Sequence, residues 1–324
     1  MASWVDASAG RVVAVIERDG YPESLHHGIV SVTDASGAEL LAIGHTDTIV
    51  YPRSTLKPLQ TIAVLGTGVD LTDLEVALAT ASHSGSVRHR EAVESFLHRH
   101  QLGVSLLQCP ADWPLVASEK LQMRLDGESS PTQLAMNCSG KHAGFLAACQ
   151  HRGDDLETYL NPGHPLQRDI RTVIEHYTGE TITHTSADGC GAPLHALSLR
   201  GLARGISGLT SSDDEIPQRI VRAVGEHSWA LAGEGLANTR VIDALGGIAK
   251  IGAEGLVVIS TPEGVTAAVK ILDGSMRATT PVALSALMQV GAVEAKTGQN
   301  LVDEFSEVVR GGTAPLGRLR VTLG

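Results

Sequence analysis

The segment YPRSTLKPLQTIAVLG places Ser54 and Lys57 three residues apart, just ahead of an apolar run. A hydroxyl is a weak nucleophile until a nearby base takes its proton. A lysine can be that base if burial or a second cation disfavours its charged form. Pro58 sets the phase, because proline is tolerated only in a helix's first turn, so the spacing predicts a helix opening close to Ser54. At i, i+3 the two side chains would share one face. A nucleophile at such a helix start would have backbone N–H groups and the positive dipole end beside a developing oxyanion. The competing reading is a serine N-cap followed by a solvated lysine.

Three further groups could complete a site. LGGIAKIGAEGLVVIS supplies Lys250, Ile251 and Gly252 ahead of a strand pattern, a second cation of the K-x-G kind, with Gly252 permitting close approach of substrate backbone. Lys296, Thr297 and Gly298 fit the K-T-G letters better but read as a helix C-terminus, so Lys250 is preferred. In ALATASHSGSVRH, Ser82 could relay a proton, and His83 could orient it as a substrate-binding residue; the alternative is a helix C-cap with Gly85 left-handed. NCSGKHAG carries Cys138, Lys141 and His142, and SADGCGAP carries Asp188 and Cys190. Two cysteines in glycine-rich turns could converge on Zn²⁺, with Lys141 a ligand only if neutral. The alternative is two unrelated buried thiols. Cys109 and Cys149 read as structural.

The elements that must position these residues follow from the patterns around them. RVVAVIERDG, GIVSVTD and AELLAIGHT read as strands, with a turn at Asp34–Gly37. TDLEVALATA opens with a capping box from Thr72 to Glu75. VRHREAVESFLHRHQL, NPGHPLQRDIRTVIEHYTG and SSDDEIPQRIVRAVGEH read as helices. Strands return near residue 250 as a GLVVISTPEG–VTAAVKILDG hairpin. A helix follows from about Pro281 to Ala295, and RLRVTL is a last strand. The expected architecture is α+β: one antiparallel sheet from about 1–50 and 250–324, whose terminal strands pair, covered by a mainly helical region at about 54–245. Residues 1–324 are expected to form a single catalytic unit.

The 324-residue chain is long enough to bury a sizeable core without staples. With three Trp, four Tyr and three Phe, that core must rest on aliphatic residues. A net charge of −11 disfavours nucleic acid and anionic membranes as partners. No apolar run is long enough to span a bilayer and no leader pattern opens the sequence, so a cytoplasmic location with reduced thiols is expected.

RSTLKP, ASHSG, NCSGKHAG, DGCGAP and AKIGAEG, in that order, resemble the rhizobial-type (class 3) L-asparaginases. The motifs run from about residue 53 to 256, and the strand–helix–strand order extends the likeness over nearly the whole chain. NCSGKH with DGC is the most specific part. The resemblance implies hydrolysis of the L-asparagine side-chain amide to aspartate and ammonia, a fold similar to serine β-lactamases and glutaminases, and a homodimer. By position it implies Ser54 as nucleophile, Lys57 as its base and Ser82–Lys250 as a second Ser–Lys pair. It further implies that Cys138, Lys141 and Cys190 hold zinc, with water as fourth ligand, and that Asp188 contacts the substrate amine. Arg53 is the candidate for the substrate carboxylate. Two departures stand out: Ser86 where an acid is expected, and LANTRVID at 236–243. The rival readings are a glutaminase, a β-lactam-interacting or peptidase-like serine hydrolase, and a non-enzymatic zinc module.

Overall fold

The computed structural model describes residues 3–323. The chain opens with β1 (Arg11–Arg18), β2 (Tyr21–Thr33), β3 (Glu39–Ile43) and the short β4 (Ile49–Val50). A 3₁₀ turn at Arg53–Leu56 leads into α1 (Lys57–Gly66), followed by α2 (Asp73–Thr80), α3 (Val87–Arg99), α4 (Ala117–Leu125), α5 (Ser139–Arg152) and α6 (Pro165–Thr178). Short strands β5 (Thr185–Ala187), β6 (Pro193–His195) and β7 (Leu197–Ser198) precede α7 (Leu199–Thr210), α8 (Glu215–Glu226), α9 (Ser228–Leu231) and α10 (Ala237–Leu245). The chain then returns to the sheet with β8 (Ile248–Gly252), β9 (Leu256–Ser260) and β10 (Thr266–Ile271). It ends with α11 (Thr279–Gln289), α12 (Ala295–Phe305), β11 (Val308–Gly311) and β12 (Ala314–Val321).

The fold is α+β, built on an antiparallel sheet in the order β11-β12-β1-β2-β10-β9-β8, with β3 also paired to β2. The two ends of the chain meet in it: Val15 lies opposite Arg320, and Val30 opposite Val269. Every position of β9 and β10 is buried. Side chains alternate between faces along a strand, so both faces must be covered. Helices α7 and α11 both pack on these two strands. The sheet therefore has a helical layer on each side, where the sequence pattern suggested one. The extra layer is the C-terminal pair α11–α12, which packs as a hairpin.

Local signals explain most boundaries. Thr72 Oγ1 accepts the Glu75 N–H while the Glu75 carboxylate accepts the Thr72 N–H, completing the capping box of α2. Gly179 closes α6 with φ of 67°. Lys296, Thr297 and Gly298 sit in the first turn of α12, where Glu294 caps the helix, rather than at a helix C-terminus. The expected Pro281–Ala295 helix is instead α11, ended at Gln289. Two glycines set the spacing beneath the site. A Cβ on Gly140 of α5 would meet the Leu78 carbonyl oxygen of α2 at 2.5 Å, and one on Gly144 would meet Ala79 Cβ at 2.9 Å. Their absent side chains let α5 lie against α2, which brings Cys138 up to the end of the helix that precedes Ser82.

Candidate active site

Ser54 sits in the 3₁₀ turn and is part-exposed; neither that turn nor α1 has a side-chain cap, so Ser54 is not an N-cap. Arg53, just before it, has φ of 53°. A non-glycine residue in that region carries strain on the order of 1 kcal/mol or more and needs its surroundings to hold it. The holding contact is an ion pair in which Arg53 Nε donates to Asp188 Oδ1 at 2.6 Å. The two residues expected to grip the substrate's carboxylate and amine thus meet each other, joining the Ser54 turn to the Cys190 turn.

Lys57 begins α1 and is 1% exposed. Its Nζ donates to Ala81 O at 2.5 Å and to Ser82 Oγ at 2.8 Å, and lies 3.1 Å from Cys138 Sγ. The expected face-to-face pairing with Ser54 does not appear among the hydrogen bonds of the described residues; the amine is directed to Ser82. The reason is local. Ser54 belongs to the tighter 3₁₀ turn and Lys57 to the α-helix that follows, so the two do not share one helical ridge.

Ser82 does not lie in a helix cap. Helix α2 ends at Thr80, and the chain continues extended, with Ser82 N–H donating to Leu231 O, His83 N–H to Asn137 O and Ser84 N–H to Ala232 O. Gly85 has φ of 79° and ends this strap rather than the helix. Extended backbone alternates its side chains, so Ser82 is part-exposed while His83 turns fully inward. His83 is paired through Nε2 with Ser139 Oγ at 2.9 Å and stacks on His89 with ring centres 4.9 Å apart. It therefore neither orients Ser82 nor reaches substrate, which corrects its assignment as a substrate contact.

Lys250, on β8 and wholly buried, closes the cluster: its Nζ donates to Ser82 Oγ at 2.9 Å and to Ile251 O at 3.1 Å. Burial, with the charge of Lys57 behind it, holds this amine well below the usual lysine range. A neutral amine has a lone pair, so the single Ser82 hydroxyl can accept from one lysine and donate to the other. Gly252 faces the Ser54 turn rather than the solvent: a Cβ there would lie 3.0 Å from Pro52 O and 3.1 Å from Thr55 Cγ2. Its role is to let β8 reach the Ser54 turn, not to admit substrate backbone.

The sulfur groups converge as the sequence suggested. Cys138 and Cys190 are buried, and Lys141 Nζ donates to Cys190 Sγ at 3.0 Å. Cys138 and its neighbour Cys190 behave as a pair sharing one proton: the hydrogen bond between them raises Cys138 and lowers Cys190, and Lys141 lowers Cys190 further. Burial alone would lower Lys141, but the charges of Cys190 and Cys138 raise it. Two thiol groups and an amine in one buried pocket suit a tetrahedral Zn²⁺ ion, which prefers sulfur and nitrogen donors and displaces their protons. A second group, Cys149, Asp154 and His164, does not suit a metal. His164 Nδ1 already accepts the Leu166 N–H, its Nε2 meets Asp155 O, and Arg152 holds Asp154. Burial pushes Cys109 and Cys149 up to about 12, consistent with inert core thiols.

Four contributors escaped the sequence reading. Asn137 Oδ1 lies 2.8 Å from Cys138 Sγ. Asn238, within the 236–243 departure, accepts the Ile251 N–H at 3.1 Å and so pins β8 beside Lys250. Tyr159 meets His142 Nδ1 at 2.7 Å and accepts the Gln108 N–H at 2.9 Å. None has a spacing signal; the only hint was the position of Asn137 beside Cys138. Ser86, the other departure, caps α3 and holds His89 Nδ1 at 2.7 Å. A cavity of about 380 Å³ lined by Ser84, Ser86, His89 and Trp229 lies beside the strap, and its lining includes neither Ser54 nor Lys57.

A strained serine turn and a serine shared by two buried lysines, set at the edge of an α+β sheet, have the chemistry that a hydrolytic site could use. The L-asparaginase II family model matches residues 14–321, and the chain belongs to that family and with it to the hydrolases. No curated protein sequence matches the chain. In structure it is similar to a beta-lactamase from Mycobacterium bovis (TM-score 0.45, 12% identity, 81% of this chain and 94% of that one). It is also similar to EstCE1, a hydrolase with promiscuous acyltransferase activity (0.41, 11%, 92% and 94%). A third similar structure is Mglu in its native form (0.44, 14%, 83% and 65%). Among the described residues no helix is long and apolar enough to cross a membrane.

Proposed function

We propose that this protein is an L-asparagine amidohydrolase that works through a seryl acyl-enzyme, with Ser54 as nucleophile. The observation that carries the reading is the Ser82 hydroxyl held between two buried amines, 2.8 Å from Lys57 and 2.9 Å from Lys250, beside the Ser54 turn. Such a triplet can pass a proton from one amine to the other through the shared hydroxyl.

In the first half-reaction Lys57 hands a proton through the Ser82 hydroxyl to the neutral Lys250 amine, and then takes the Ser54 proton as the Ser54 oxygen adds to the side-chain amide carbon. The Ser54 N–H and the start of α1 face the resulting oxyanion, where one such donor is typically worth about 3–4 kcal/mol. The proton then travels through Ser82 to the leaving nitrogen, the C–N bond breaks, and ammonia departs. Water cleaves the acyl-enzyme by the reverse proton path, releasing L-aspartate. The outer oxygen of Asp188 would receive the substrate ammonium and the free guanidinium nitrogens of Arg53 its carboxylate. Cys138, Lys141 and Cys190 would hold Zn²⁺, which when bound supplies a fixed positive charge and rigidity to the wall carrying Asp188. The protein would work as a cytoplasmic homodimer.

Two serines compete for the nucleophile's role, because both lysines touch Ser82. Trapping with L-asparagine followed by mass spectrometry of peptides separates them. An aspartyl adduct on Ser54, lost in Ser54→Ala and kept in Ser82→Ala, supports the assignment; an adduct on Ser82 reverses it. Ammonia release from L-Asn, L-Gln and D-Asn tests the substrate. One methylene is worth only about 1–3 kcal/mol, so a glutaminase is the nearest rival, and faster release from L-Gln would establish it. Labelling by penicillin would favour the β-lactam-interacting class instead.

A further inference from the structure

We propose that His89 is a positioning residue for the proton relay: a neutral imidazole, donating to the Trp229 carbonyl and accepting from the Ser86 hydroxyl, that holds the strap carrying Ser82 between its two lysines. The inference rests on the reading of Ser82 as the relay between Lys57 and Lys250. Its first half, the state of the ring, stands without that reading.

The groups around the ring decide where its proton sits. His89 is 1% exposed and has no carboxylate among its hydrogen-bond partners, so a second proton would leave a buried cation uncompensated. Its Nε2 lies 3.2 Å from Trp229 O. A carbonyl can only accept, so the one ring proton is on Nε2 and Nδ1 is bare. Ser86 Oγ, 2.7 Å from Nδ1, therefore donates to it, while accepting the His89 N–H at 3.3 Å as the cap of α3. Ser84 Oγ, 3.4 Å from the same nitrogen, is too distant to compete. The departure at position 86 acquires a meaning here: a hydroxyl can donate to a bare Nδ1, and an ionised acid cannot.

This brace reaches the relay by two routes. Trp229 belongs to α9, and the residues that close and follow that helix, Leu231 and Ala232, accept the N–H groups of Ser82 at 3.0 Å and Ser84 at 2.6 Å. Fixing the Trp229 carbonyl to the start of α3 therefore fixes the backbone from which the strap hangs. On the strap's inner face His83 stacks on His89 with the ring planes only 14° apart, so the same imidazole backs the residue next to Ser82. The tolerance at the relay is small. Ser82 Oγ lies 2.8 Å from one amine and 2.9 Å from the other, and a shift of a few tenths of an ångström toward either lengthens the other contact beyond a good hydrogen bond. A misplacement of about 1 Å, caused from outside the reacting groups, can cost about 100-fold in rate.

The test uses the full-length protein, L-asparagine as substrate, and histidine labelled at both ring nitrogens. Nitrogen NMR of the wild type should show His89 protonated at Nε2 and bare at Nδ1, its signals assigned by their loss in His89→Phe. A wild-type ring protonated at Nδ1 would overturn the proposal whatever the kinetics. His89→Phe keeps a ring against His83 but neither hydrogen bond, and should lower kcat by about 100-fold with KM unchanged. Its solvent isotope effect on kcat should rise, because the misplaced relay makes proton transfer the slow step. A merely structural loss would reduce the amount of folded enzyme and leave the isotope effect as it was. If that variant does not fold, Ser86→Ala, which removes the donor to Nδ1 at a part-exposed position, should show the same pattern with a smaller fall. A rise in KM at constant kcat, or a fall in kcat with an unchanged isotope effect, would overturn the positioning role. Ser82→Ala separates this role from the relay itself. Wild-type kcat in that variant would refute the relay and the brace together, whereas an inactive Ser82→Ala beside a fully active His89→Phe would refute the brace alone.

Discussion

Replacing Lys250 with methionine should remove activity while leaving the protein at least as stable as before. The wild-type amine is wholly buried and held neutral, and its contacts are Ser82 Oγ and Ile251 O. Methionine has a similar length and fills the space. The two lost hydrogen bonds should cost about 1 kcal/mol each. Against this stands the work of keeping a lysine unprotonated below its ordinary 10.5, which grows by about 1.4 kcal/mol with each pH unit over which the folded amine stays neutral. Two such units offset the lost bonds, so K250M should unfold at the same temperature or higher. The sign can be checked with pH. Below 10.5 the unfolded chain binds a proton that the folded protein does not, so wild-type stability rises with pH and the gap to K250M should narrow as pH increases. Activity should fall by roughly 10²–10⁴ in kcat/KM, the usual worth of a placed proton-transfer group. K250R, permanently charged and with no carboxylate among its contacts, should instead lose about 3–5 kcal/mol. The measurements are thermal unfolding from pH 6 to 9.5 and ammonia release from L-asparagine. A K250M variant that melts well below wild type at pH 7, a gap that widens with pH, or a kcat/KM within tenfold of wild type would each refute the reasoning.

Acid should unfold the protein early. His89 and His195 are buried and lowered from 6.5 to about 4, chiefly by burial, so the unfolded chain takes up their protons first. Stability should fall by about 1.4 kcal/mol per pH unit for each between pH 6.5 and 4, read from urea midpoints, and His195→Gln should flatten that slope by one histidine's share. Gly140→Ala must push the α5 backbone off the Leu78 carbonyl, costing about 1–3 kcal/mol, and should also cut activity by moving Cys138 from Lys57. Gly66→Ala, at the end of α1 with nothing within 4 Å of the new Cβ, is the control and should stabilise by about 0.4–1 kcal/mol. Asp188→Asn removes the charge that holds Arg53 and that the substrate ammonium would meet. Its kcat/KM should fall about 10–100-fold, the worth of a charged hydrogen bond, with the thermal midpoint of a part-exposed pair shifting by only a few degrees; unchanged kinetics would dismiss it as a substrate contact.

The residues of the candidate site were legible because their spacing is local. Ser54 and Lys57, the Ser-His-Ser-Gly strap, NCSGKH, DGC and the K-x-G strand each announce themselves within a few positions, and the period-2 runs at both ends already implied a sheet closed by its termini. What one-dimensional spacing could not supply was direction. An i, i+3 interval suggested that Lys57 serves Ser54, but the 3₁₀ turn breaks the helical ridge and the amine goes to Ser82. His83 looked like a site residue until extended backbone turned it inward. Arg53 and Asp188, 135 positions apart, proved to be each other's partner. Gln108, Tyr159 and Asn238 carry no motif at all, since a single phenol or amide acquires meaning only from the buried donor left over beside it. Sequence determined which groups were available and which elements would present them. Only the packing of α5 on α2, and of β8 on the serine turn, decided which atoms meet, because those contacts depend on missing glycine side chains and on protons that must find acceptors across the core.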